Sequence, residues 1–253
     1  MPISERRFYF VCGTLMLLGG VVFLWGGIQH PPTDPSLGAI ASDEYFRNFI
    51  REIVQHHAWE RIHTAILVGP LGWALGGVGV CLALRRRGES CFSALGAAAL
   101  AMGATAWAVT FVFDGFAALR YAEAISGNSS GDMTSLLVGF RANQVVVIRL
   151  GLVSLVLIGI GMVAFGASMF GATGHPRPVL WLLGVSGILV GSWPMVAWAT
   201  GVFDPGPFTS RWWKPTGLLT AAWFMSVGIA ILVEAARAPM SGRLRANESD
   251  EAK

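Results

Sequence analysis

The densest run of side chains able to do chemistry in this sequence is His56-His57-Ala58-Trp59-Glu60-Arg61-Ile62-His63. On a helix advancing about 100° per residue, His56, Glu60 and His63 fall within about 60° of one another, and Glu52 extends the stripe by one turn. One face then offers two imidazoles and a carboxylate, a common ligand set for a transition metal. Glu60-x-x-His63 also has the spacing of di-metal carboxylate bundles, but such a site needs further Glu and Glu-x-x-His pairs, which the other apolar segments lack. His56 and His63 are also candidates for axial ligation of haem, with a second ligand from another helix. Two other uses stand beside ligation: a wetted polar face on an interfacial helix, and a proton or substrate relay.

Arg149 is the second feature. It lies eight residues beyond Arg141 on one apolar segment, so it sits about 12 Å further along a helix. A central charge there costs about 2.5–3.5 kcal/mol on insertion scales, which calls for an inward-facing partner. Glu60, Asp114 and Asp204 are the candidate acids, and Asp114 with Arg149 is the expected buried pair. The alternative is that Arg149 snorkels to the interface. Asn143 and Gln144 enter the membrane on the same segment, and Ser192 and Pro194 add polarity to the fifth. Trp193, Trp198, Trp212 and Trp213 line this region or form an aromatic belt.

The elements that must position these residues follow from composition. Of 253 residues, 54% are hydrophobic and 13% charged, where soluble domains carry roughly a quarter charged. Mean hydropathy is +0.58, and the ten Trp suit an apolar–water boundary. A hydrocarbon core of about 30 Å needs about 20 apolar residues of helix. Six runs qualify: Phe8 to Ile28, Ile62 to Leu84, Phe92 to Phe113, Val145 to Phe170, Val179 to Phe203, and Pro215 to Val233. They are continuous rather than alternating, which selects helices over barrel strands. The expectation is an all-α, polytopic bundle of about six spans over residues 1–236, followed by a polar cytoplasmic tail over 237–253. The first run is too long for a signal peptide's apolar region and is read as an uncleaved span.

Lys and Arg near the span ends orient the bundle. Arg6, Arg7, Arg85, Arg86, Arg87, Arg177 and the tail residues Arg237, Arg243, Arg245 and Lys253 fall on one side, expected to be cytoplasmic with both termini. The membrane is expected to be a plasma or bacterial inner membrane. Cys12, Cys81 and Cys91 then lie near the cytoplasmic side, where no disulfide is expected. The formal charge of +3 reflects this topology and does not imply a nucleic-acid partner. The lipid bilayer is the expected partner, with other membrane subunits as further candidates.

Between the first two spans, Pro31, Pro32 and Pro35 break the chain. Residues 43–57 then place Phe46, Phe49, Ile50, Ile53 and Val54 at helical spacing opposite Glu44, Arg47, Arg51 and Glu52. This predicts an amphipathic helix on the membrane surface or over the bundle mouth. A second outer connection runs from Gly115 to Phe140 and carries the stretch Ser126 to Gly131, in which Asn128-Ser129-Ser130 also fits a glycosylation acceptor. Ala106 to Asp114 resembles Ala197 to Asp204, a faint parallel repeat that makes Asp204 a counterpart of Asp114. Gly72-x-x-x-Gly76 and Gly187-x-x-x-Gly191 predict close helix packing within the bundle. Walker, dinucleotide, His-Glu-x-x-His and Gly-x-Ser-x-Gly motifs are absent from the sequence.

The function expected from these residues is an outward-facing polar pocket holding a transition metal or haem, in a membrane subunit of a redox assembly. A secondary transporter or channel for a small ion or acid, and a structural or assembly subunit, are the alternatives.

Overall fold

The computed structural model describes residues 2–31, 43–88, 91–127, 133–171, 178–201 and 207–237, with side chains omitted over 197–214. All the regular structure in these residues is helical: α1 (Ile3–Gln29), α2 (Asp43–Gln55), α3 (Trp59–Arg85), α4 (Cys91–Val112), a π-helical turn (Phe113–Ala117), α5 (Ala118–Gly127), α6 (Met133–Gly171), α7 (Pro178–Gly201) and α8 (Pro207–Arg237). Among the described residues, six stretches are long and apolar enough to cross a bilayer: Ile3–Gln29, Trp59–Arg85, Cys91–Gly127, Met133–Gly171, Pro178–Val196 and Pro215–Arg237.

The spans pack in chain order, and the last returns to the first: α1 against α3, α3 against α4, α4 against α6, α6 against α7, α7 against α8, and α8 against α1. Between helices in lipid there is little hydrophobic driving force, so close packing must hold them. Gly69 and Gly72 of α3 lie against Gly19 of α1, and Gly76 lies over Met16. Gly191 of α7 meets Gly159 of α6, while Gly187 seats the Trp223 ring of α8. Both small-residue pairs are thus used inside the bundle. Large rings fill what the glycines leave open: Trp73 stacks on Phe224 with centroids 4.7 Å apart, and Phe165 fits against Gly77 and Gly96.

Pro70 shows how α3 and α4 lock together. It has no N–H, so the carbonyl four residues earlier, at Ile66, loses its helical donor. The Trp107 indole of α4 supplies one, with Nε1 donating to Ile66 O at 3.1 Å.

The connection after Phe113 differs from the sequence expectation. Most of it is helix: α4 runs through the π turn into α5, and α6 begins at Met133, well before the apolar run. The reason lies in α2, which is a separate helix as its periodicity predicts. Phe46, Phe49, Ile50 and Ile53 of α2 are buried against Trp59, Ala118, Ala122 and Phe140, a second core that needs α5 and the start of α6 to be helical to form its far wall. Arg141 also pairs with Asp43 at this wall.

The two ends of the bundle carry different chemistry. At one lie the end of α1, the start of α3, the π turn and the start of α6, beneath α2. At the other, Arg86 pairs with Glu5, and Arg87 with Glu234 at 2.6 Å. The tail beyond residue 237, Asn128 to Ser130, Arg177 and Asp204 lie outside the described residues.

Candidate metal centre

His63 sits four residues into α3 and is fully buried. The helix does not extend back to His56: Trp59 is its first residue, and His56, His57 and Ala58 form the turn that joins it to α2. Helical arithmetic therefore does not carry from His56 to His63. Glu60 does lie on α3, but its carboxylate points away, accepting a hydrogen bond from Arg120 at 3.1 Å on an exposed surface. His56 stands edge-on to Trp59, its buried Nδ1 unpartnered among the described residues.

The groups that do gather around His63 come from other spans. Its Nε2 lies 3.2 Å from Nε2 of His30, at the end of α1, and 3.2 Å from Oδ2 of Asp114, in the π turn after α4. His30 and Asp114 are also buried. One ligand atom from each of the three lies within 4.8 Å of the others.

Neighbouring groups fix both rings. Nδ1 of His63 lies 2.8 Å from the carbonyl oxygen of Trp59, and Nδ1 of His30 lies 2.8 Å from that of Pro31. A carbonyl only accepts, so each Nδ1 carries a hydrogen and donates it. In neutral rings both Nε2 atoms then hold lone pairs, and these converge with a carboxylate oxygen. A backbone carbonyl on Nδ1 that leaves Nε2 as the ligand is how metal-binding histidines are commonly oriented.

Trp59 contributes three contacts at once. Its carbonyl orients His63, its ring stacks on that imidazole with centroids 4.3 Å apart, and its Nε1 donates to the backbone oxygen of Asp114 at 3.1 Å. Phe111 covers another side of the imidazole. The π turn presents its carbonyls to side chains: Asn143 of α6 donates to Phe113 O at 3.1 Å, as Trp59 does to Asp114 O. Single π turns inside helices recur at functional sites. Gly115, next to Asp114, lets the turn approach α3, because a Cβ there would overlap the Cβ of His63. The Gln144 amide faces Asp114, although its Nε2 makes no well-formed hydrogen bond.

Of the residues singled out in the sequence, the structure joins His63 with Asp114 and adds His30. It separates them from His56 and Glu60. Arg149 is exposed and makes no ion pair among the described residues; the Asp114 carboxylate is partnered instead by the imidazole of His63. His30 is not among the residues that the sequence reading singles out. Its signal was that His30, His63 and Asp114 each stand at the same end of three successive spans.

These features define an integral membrane protein of six apolar helices with a buried His–His–carboxylate group at one end. No family model matches the chain, and no curated protein or solved structure matches it either.

Proposed function

We propose that this is a metal-binding membrane protein in which His30, His63 and Asp114 hold one divalent transition-metal ion. The observation that carries the reading is the convergence of two Nε2 lone pairs and a carboxylate oxygen, both rings being fixed through Nδ1. Metal–ligand bonds of about 2.0–2.1 Å in tetrahedral geometry place donor atoms about 3.3 Å apart. The two separations at His63 are 3.2 Å. Imidazole and carboxylate together suit zinc, iron, copper or nickel rather than calcium or magnesium. Haem fits less well, since a porphyrin on His63 Nε2 would occupy the positions held by His30 and Asp114.

Three protein donors leave a coordination position for water or substrate, which is the arrangement of reactive rather than structural centres. This supports a role as a metal-bearing subunit of a membrane redox assembly, the site lying on one side of the membrane beneath α2. The positive-inside distribution of arginines supports an orientation with that side outside the cytoplasm.

The test is purification of the full chain in mild detergent, stripping with chelator, reloading with zinc, cobalt, copper or ferrous iron, and metal analysis. About one ion per chain is expected, with a tetrahedral cobalt spectrum. His63→Ala and Asp114→Asn should abolish it, while His56→Ala and Glu60→Gln should retain it. Equal metal content in His63→Ala and the unsubstituted chain overturns the assignment.

A second reading draws on the 3.2 Å contacts of His63 Nε2 with both Asp114 Oδ2 and His30 Nε2, a linked set of groups able to pass a proton. With a proton in place of the metal, His63 Nε2–H is shared between Asp114 and His30, as in a transporter's proton relay. A chain that takes up no metal but shows a doubly protonated His63 by nitrogen NMR selects this reading.

A further inference from the structure

We infer that the groove between the start of α1 and the end of α3 binds the phosphate head group of an anionic phospholipid. This site is at the opposite end of the bundle from His63 and does not depend on the metal assignment. Trp59 and Arg85 bound α3, and its length at 1.5 Å per residue is about 39 Å. A bilayer with its head groups measures about 40–45 Å, so with the Trp59 end at one interface, Arg85 and Arg86 stand at the phosphate level of the other.

The groove has a volume of about 550 Å³ and is lined by Ser4, Glu5, Phe8, Tyr9, Leu82, Arg85 and Arg86. These residues divide by depth. Ser4, Arg85 and Arg86 offer donors at the rim, while the exposed Phe8 and Leu82 continue toward the hydrocarbon as a surface for an acyl chain.

Charge selects the occupant. Glu5 pairs with Arg86, and the Arg86 guanidinium also lies over the Tyr9 ring at 5.7 Å. That contact fixes Arg86 and leaves Arg85, which is exposed and makes no ion pair among the described residues, to supply the net positive charge. Guanidinium groups suit phosphate oxygens through bidentate geometry. A basic site between spans, flanked below by apolar side chains, matches a lipid phosphate better than a free anion, which has no use for Phe8 and Leu82.

The experiment uses the full chain in detergent, delipidated and titrated with phosphatidylglycerol, phosphatidylcholine or inorganic phosphate, with bound lipid read by native mass spectrometry. Phosphatidylglycerol should bind at least about tenfold more tightly than phosphatidylcholine, and inorganic phosphate should not displace it. Arg85→Ala should weaken phosphatidylglycerol about fivefold, equivalent to ~1 kcal/mol for one basic group at the membrane surface. Arg85→Lys should retain most of the binding, and Glu5→Gln, which frees Arg86, should strengthen it. A monodisperse size-exclusion profile and an unchanged thermal unfolding temperature of each variant confirm folding independently. Equal affinity for the two lipids, displacement by inorganic phosphate, or unchanged binding in Arg85→Ala overturns the assignment; weaker binding in Glu5→Gln does so too.

Discussion

Replacing Gly115 by alanine tests the site's geometry without removing any of its donors. The added methyl carbon would fall inside contact distance of His63 Cβ and 3.0 Å from its Cγ. Ordinary carbon–carbon contact is about 3.5–4.0 Å, so the imidazole and the π turn must separate by about 1 Å. Starting from 3.2 Å, that carries His63 Nε2 out of hydrogen-bonding range of Asp114. Overpacking of this kind costs about 1–3 kcal/mol, and misplacing one ligand should weaken metal binding by about 10–100-fold, as loss of a ligand-orienting contact does. The assays are competition titration with a chromophoric chelator and thermal unfolding in detergent. Gly27→Ala is the control, since nothing lies within 4 Å of a Cβ there; it should leave both readouts unchanged. If Gly115→Ala binds metal as tightly as the unsubstituted chain and unfolds at the same temperature, the close approach of the π turn to α3 does not set the site, and the reasoning fails.

Two further predictions address what holds the site in place. Trp107→Phe keeps an aromatic side chain but removes the indole N–H that serves the Ile66 carbonyl, and should cost about 1–3 kcal/mol in denaturant unfolding; a change below about 0.3 kcal/mol would mean that this bond contributes nothing. Phe140→Ala removes a fully buried ring that packs on Phe46 and Phe49 of α2, and should cost about 3–5 kcal/mol if the small core behaves as an interior. Hydrogen exchange in that variant should rise in α2 and α5 while α8 stays protected, and uniform loss of protection would show that α2 is not a separately held cap.

The spans and α2 were legible in the sequence because the signals for both are local. A run of apolar residues long enough for the bilayer forces a helix wherever it occurs, and the spacing of Phe46, Phe49, Ile50 and Ile53 marks one buried face without reference to any partner. The grouping of His56, Glu60 and His63 drew on the same kind of local arithmetic and assumed a continuous helix. The chain turns at His56 to Ala58 so that α2 can lie over the bundle, and the phase relation is lost there. Asp114 stood out as an acid at a span end, but helix periodicity could not say whether it would meet Arg149 or a histidine.

What only the tertiary structure decided is the trio itself. His30 and His63 are 33 residues apart, and His63 and Asp114 are 51 apart. Their meeting depends on α1, α3 and α4 being neighbours, on the depth at which Gly19, Gly69 and Gly115 let these elements approach, and on a π turn that reorients Asp114. Hydropathy fixes how far each helix runs across the membrane, because lipid acts on every residue in the same way. Rotation about each helix axis is set by side chains on other helices, and no single segment contains that information.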